Sequence, residues 1–177
     1  MLKTWTKHLG PAAATAALLA WLLPAPTGAE TKLSDMNGRW RGAGQDRNAP
    51  WQSLQRTKCQ TTIRADQRRM NTEMVCDSSD GHRKVVHLSM TLDGDQLTGT
   101  VSQRLTNRRS NQLVSVRNGS LAGQRTDTTA NLQVSWSDLT PRTTVALKLN
   151  GGSSYSMKVT ALGLTMMDVT FNRGAVH

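Results

Sequence analysis

From Asn37 onward, polar and apolar residues alternate with a period of two, and clusters of turn-forming residues interrupt the alternation. Period two sends successive side chains to opposite faces of a pleated strand, so the pattern predicts strands that are buried on one side and solvated on the other. Between Leu54 and Ala65, Cys59, Thr61, Ile63 and Ala65 share one face, and Arg56, Lys58, Gln60, Thr62 and Arg64 the other. The segment Arg69 to Cys76 returns with Met70, Thr72, Met74 and Cys76 on one face. Thr128 to Ser137 alternates most cleanly, with Ala130, Leu132, Val134 and Trp136 inward. Asn37 to Gln45 carries Trp40 on a Gly-bounded strand, Arg47 to Ser53 reads as a loop, and Asp77 to His82 as a turn cluster. Leu164 to Arg173, with Met167, Val169 and Phe171, reads as the last strand. No window combines a sustained helical period with a start signal. The spacing predicts about ten or eleven strands. Hairpin follows hairpin without long crossovers, which favours an antiparallel up-and-down β-barrel, a closed form without exposed edges.

Parity also predicts pairings. A two-residue loop at Asp93-Gly94 sets Met90 opposite Leu97, Leu88 opposite Gly99 and Val86 opposite Val101. Asn118-Gly119, a favoured type I′ dipeptide, sets Val116 opposite Leu121 and Val114 opposite Gly123. Asn150-Gly151-Gly152 pairs Leu147 with Tyr155 and Val145 with Met157. A fourth hairpin closed at Gln67-Arg68 has poor turn chemistry, but Cys59 and Cys76 are equidistant from it and fall directly across it. They are the chain's only cysteines, without a Cys-x-x-Cys spacing or an accompanying His cluster, and they read as one structural disulfide.

Residues 1–29 change the address. Lys3 and Lys7 precede an apolar run from Leu9 to Leu23 that is too short to span a bilayer, and Pro24 to Ala29 ends in small residues. This reads as a cleaved secretory leader with the cut after Ala29. Residues 30–177 are then a single domain outside the cytoplasm, in the periplasm of a Gram-negative bacterium or beyond, without a transmembrane segment. The full chain has 22 Lys and Arg against 12 Asp and Glu, a net charge of +10, and loss of Lys3 and Lys7 leaves +8. A secreted protein this basic meets envelope polyanions first, and nucleic acid is not an expected partner. Arg39, Arg41, Arg56, Lys58 and Arg64 fall on the outward face of the first two strands, with Arg68 and Arg69 at the adjoining tip. These seven form a candidate anion-binding wall, since the guanidinium fork engages phosphate and carboxylate bidentately.

Catalytic constellations are missing. His82 lies in a turn, His87 at an outward position and His177 in the last residue, with no nucleophile motif beside them. No metal-ligand spacing occurs and no cofactor is implied, so the reading is non-enzymatic. Met70, Met74, Met90, Met157 and Met167 mostly share the inward face, where methionine lines a pliable cavity or fills gaps in a packed core.

Gly38-Arg39-Trp40 resembles the Gly-x-Trp opening of the lipocalin and avidin-type barrels, the calycins. The resemblance implies that Trp40 closes one barrel end and that Arg173, from the last strand, packs over it. A broader resemblance, spanning residues 30–177, is to small uncharacterised secreted β-barrel proteins of rhizobia and related alphaproteobacteria. It rests on the order of features: Gly38 to Gly44 as Gly-x-Trp-x-Gly-x-Gly, two Cys on adjacent strands, Gly119-Ser120-Leu121-Ala122-Gly123, Leu132 to Trp136, and Met157 to Thr160. It implies address and fold and carries no active site. Three roles follow as expectations: an envelope-associated module that contacts anionic polymers through the Arg-rich wall, a calycin-like carrier of a small apolar ligand, or a small periplasmic protease inhibitor. An open apolar interior favours the carrier, and a filled one the surface module.

Overall fold

The alternating segments become ten strands, joined in an antiparallel ring in which each strand pairs with its neighbours in sequence and the last closes on the first. The computed structural model describes residues 33–138 and 141–174. The expected leader and its cut after Ala29 lie outside the described residues, as does His177. A short 3-10 turn, Leu33–Met36, precedes β1 (Gly38–Asp46), β2 (Gln55–Ala65), β3 (Arg69–Ser78), β4 (His82–Asp93) and β5 (Gln96–Asn107). Then follow β6 (Leu113–Arg125), β7 (Thr129–Trp136), β8 (Thr143–Leu149), β9 (Ser154–Ala161) and β10 (Leu164–Arg173). The outer face is predominantly polar and the inner face apolar, the reverse of the arrangement lipid imposes on a membrane-spanning barrel. Among the described residues, no helix is long and apolar enough to cross a membrane.

The β2–β3 hairpin has the expected register, Cys59 opposite Cys76 and Ala65 opposite Met70, and the cysteines form a buried disulfide with Cα atoms 4.1 Å apart. Its weak turn is held by Asp66, whose Oδ1 accepts the backbone N–H groups of Arg68 and Arg69 at 2.7 Å each.

The other three hairpins differ from expectation. The β4–β5 turn is Gly94-Asp95, because the first loop position needs the positive φ that Gly94 supplies (57°). Met90 therefore faces Gly99, and Leu88 faces Val101. The β8–β9 loop is also displaced, pairing Leu149 with Tyr155 and Leu147 with Met157. Both shifts move the pairing by two residues, so the same side chains stay inward. The third difference is larger. Asn118-Gly119 makes no turn and lies within the continuous β6, with Asn118 paired to Ser102 and Gly119 to Val101. The chain turns instead over residues 108–112, where the Asn107 side chain accepts the N–H groups of Arg109 and Ser110 and Asn111 takes a left-handed φ of 57°. Val114 and Val116 consequently face outward and are 52% exposed each.

The barrel has two unlike ends. The 3-10 turn and the β2–β3, β4–β5, β6–β7 and β8–β9 hairpins lie at one; the β1–β2, β3–β4, β5–β6, β7–β8 and β9–β10 connections lie at the other.

Candidate interior binding site

The first end is closed by aromatic packing. Trp40, on β1, is buried, and its Nε1–H donates to the Met36 carbonyl oxygen at 2.9 Å, which fixes the 3-10 turn across the barrel floor. Tyr155 meets Trp40 edge-on, with ring centroids 5.1 Å apart, and stacks on Phe171 at 4.6 Å. Only a glycine admits this stack at position 42, since a Cβ there would lie 2.6 Å from the Phe171 ring. Burial raises the Tyr155 phenol well above its ordinary pKa. Arg173 is the register partner of Trp40 and places its guanidinium 4.7 Å from the indole centroid. The same guanidinium donates to the carbonyl oxygens of Asn37 (3.2 Å) and Asp35.

Above this floor the interior is open. A cavity of about 520 Å³ runs from Met36 and Met70 to the far end of the barrel. Its deep wall is apolar, formed by side chains such as Ile63, Leu88, Leu121, Leu132, Val145 and Met157. The size falls in the range of about 300–1,000 Å³ usual for small-molecule sites. Barrels of about eight strands are just wide enough for side chains to fill them, and two further strands with inward glycines, valines and threonines leave space.

Polar groups collect toward the mouth. Lys84 Nζ lies 3.1 Å from Asp46 Oδ2, both are buried, and Ser78 donates to Asp46 Oδ1 at 2.7 Å. Arg117 faces inward and lies 3.5 Å from Asp138, and the Trp136 indole donates to Thr143 Oγ1 at 2.9 Å. The β1–β2 loop, residues 47–54, reaches over the opening. It is tied to β10 by the Arg47 N–H, which donates to the Met166 carbonyl oxygen at 2.8 Å, and folded on itself by Gln52, whose Oε1 accepts the N–H groups of Asn48 and Ala49. Trp51, at its tip, lines the mouth and is 86% exposed. The sequence pattern passed over Lys84 and Asp46. Lys84 shares parity with Val86, Leu88 and Met90, so its inward direction was available from spacing alone, whereas its pairing with a residue 38 positions away was not.

The seven cations of the candidate wall are all exposed. Arg39, Arg41, Arg56, Lys58 and Arg64 stand on the outer face of β1 and β2, where Arg39 pairs with Thr62, Arg41 with Gln60, and Lys58 with Ala43. Arg68 and Arg69 stand at the β2–β3 tip, around an Asp66 carboxyl held below its ordinary pKa by the two backbone hydrogen bonds. The neighbouring β3 and β4 bring Glu73 and His87, register partners, into a shallow outer groove with Arg39 and Arg64. Among the described residues, no group of three or more His, Cys, Asp or Glu is placed to hold a metal ion. No family model matches the chain, and no curated protein is similar enough in sequence to be a relative.

Proposed function

We propose that this protein is an exported, non-enzymatic carrier that holds a small apolar or amphiphilic ligand inside its barrel, in the periplasm or beyond. The single observation that carries the reading is the open, apolar-walled cavity of about 520 Å³ beneath a polar mouth. A deep apolar wall rewards burial of an aliphatic or ring body, and the groups at the mouth suit a polar end left near water. The closed floor of Trp40, Tyr155, Phe171 and Arg173 supports the same use, because a cup retains a ligand that a through-channel releases. It is also the closure that the Gly-x-Trp resemblance implies. The buried disulfide is compatible with an oxidising compartment.

Uptake of Nile red by detergent-free protein tests this reading. Emission should rise and saturate with wild type, and native mass spectrometry of protein from its producing cell should show an adduct removed by organic extraction. Val159→Trp, or the milder Val159→Phe, projects bulk into the cavity and should reduce uptake while far-ultraviolet circular dichroism stays that of the barrel. No uptake by wild type, or equal uptake by folded filled variants, would refute an interior site.

A second reading retains the Arg-rich wall as a contact for anionic envelope polymers, because all seven side chains are solvent-exposed and five share one face. Retention on lipopolysaccharide that falls with salt and is lost on charge reversal of Arg56, Lys58 and Arg64 would support it.

A further inference from the structure

We propose that the open end of the barrel docks on an anionic phospholipid surface, with Trp51 and Leu162 entering the headgroup layer and the cavity mouth facing the bilayer. The docking stands on its own observations; only its use for exchanging ligand with the membrane rests on the carrier reading.

The exposed apolar side chains are distributed unevenly. The large ones among the described residues are Trp51, Leu113, Val114, Val116, Leu162 and Leu164, and all belong to the open half of the molecule. At the closed end the aromatic residues are buried instead. An apolar rim around a cavity mouth marks a contact surface, and an exposed Trp suits the lipid–water interface in particular.

Leu162 adds a conformational argument. It sits at the first position of the two-residue β9–β10 turn with a φ of 52°, followed by Gly163 at 74°. That left-handed position favours Asn, Asp or Gly and is strained for a leucine. The side chain is 67% exposed, so packing within the barrel does little to offset that strain. Binding to something apolar outside does offset it. Leu162 and Trp51 both line the mouth, and the Arg47–Met166 hydrogen bond ties the Trp51 loop to β10 just after the Leu162 turn.

Charge points to the same occupant. The connections at the open end contain Arg47, Arg108, Arg109 and Arg142 against Asp80 and Asp138, whereas those at the closed end contain Arg68 against Asp66, Asp95 and Asp127. Asp138 lies beside Arg117 and Asp77 beside Arg83 and Arg108, and Arg109 and Arg142 stand exposed at the same end. A basic, apolar-tipped end would approach an anionic bilayer mouth-first, with basic residues near the surface each adding attraction.

Co-sedimentation of the full chain with vesicles tests the proposal. Wild type should bind vesicles of equal phosphatidylglycerol and phosphatidylcholine, bind pure phosphatidylcholine much more weakly, and release as salt rises. Trp51→Ser and Leu162→Asn should each lower the partition coefficient about tenfold or more. Asn suits the left-handed position, so Leu162→Asn should fold at least as stably as wild type and isolates the loss of contact. Nile red uptake by wild type in free solution is read separately: docking without uptake refutes the carrier alone, and uptake without docking refutes the docking alone. Equal binding by wild type and both variants, loss only on charge reversal of Lys58 and Arg64 on the side wall, or no preference for the anionic vesicles would each overturn the proposal.

Discussion

Removing the Arg173 guanidinium tests how the closed end is held. The group sits 4.7 Å from the Trp40 ring centroid and donates to two carbonyl oxygens in the segment before β1. A cation over an indole contributes about 0.5–2 kcal/mol, and a hydrogen bond from a charged donor about 1.5–3 kcal/mol before allowance for solvent. Arg173 is exposed, so the combined contribution is placed at about 2–3 kcal/mol, below the simple sum. For a barrel of this size, 1 kcal/mol shifts Tm by about 2–4 °C, so Arg173→Ala should lower Tm by about 4–12 °C. Thermal unfolding followed by circular dichroism measures this directly. Hydrogen exchange of the Trp40 indole proton adds a local readout, because that proton is bonded to the Met36 carbonyl oxygen and should exchange faster once the 3-10 turn loosens. Arg173→Lys keeps a charge over the ring but loses the planar fork, and should fall between the two. A Tm within about 1 °C of wild type, with unchanged indole exchange, would show that the aromatic floor closes the barrel without the guanidinium.

Lys84→Met should destabilise the barrel by about 3–5 kcal/mol, because it leaves Asp46 buried without its counter-charge, and the double variant with Asp46→Asn should recover much of the loss; denaturant titration of the three proteins checks both statements. Tyr155 is the only tyrosine in the chain, so tyrosinate ultraviolet absorbance reports it alone. Its folded pKa is raised above the unfolded value of about 10, so the stability it contributes is complete below about pH 10 and is lost as pH rises through the folded value. Ionisation should therefore coincide with alkaline unfolding, and reversible ionisation near pH 10 in an intact barrel would contradict the buried phenol.

Parity was the most legible part of this structure. Alternation placed Cys59, Ile63, Met70, Met74, Leu132 and Val134 inward, and burial agrees at each. Register was less legible, because a displacement of two residues leaves the alternation intact and costs the pattern nothing, as at the β4–β5 and β8–β9 hairpins. Asn118-Gly119 misled because turn propensity is local, whereas β6 runs on through that dipeptide with partners on both sides. The cavity was not legible at all. Whether a barrel interior is full depends on strand number, tilt and summed side-chain volume, which no single strand displays. Trp51 lies in a segment without alternation, so its place at the mouth appears only when β1 and β10 bring the two loops together.

The β1–β10 junction has a consequence for how the molecule assembles. Nine of the ten interstrand junctions join neighbours in the chain and form from nearby residues, while this one joins the two most distant strands. Nascent hairpins can accumulate as the chain emerges, but the ring cannot shut until its final strand is available, and until then β1 offers an unpaired edge. Once shut, the Gly174 N–H donates to the Arg39 carbonyl oxygen at 2.9 Å, so the two sides of the junction are adjacent. A short linker joining residues 174 and 37, with a cut in any hairpin opposite, would give a circular permutant with the same ring: its hydrogen-bond pattern has a direction, but no beginning.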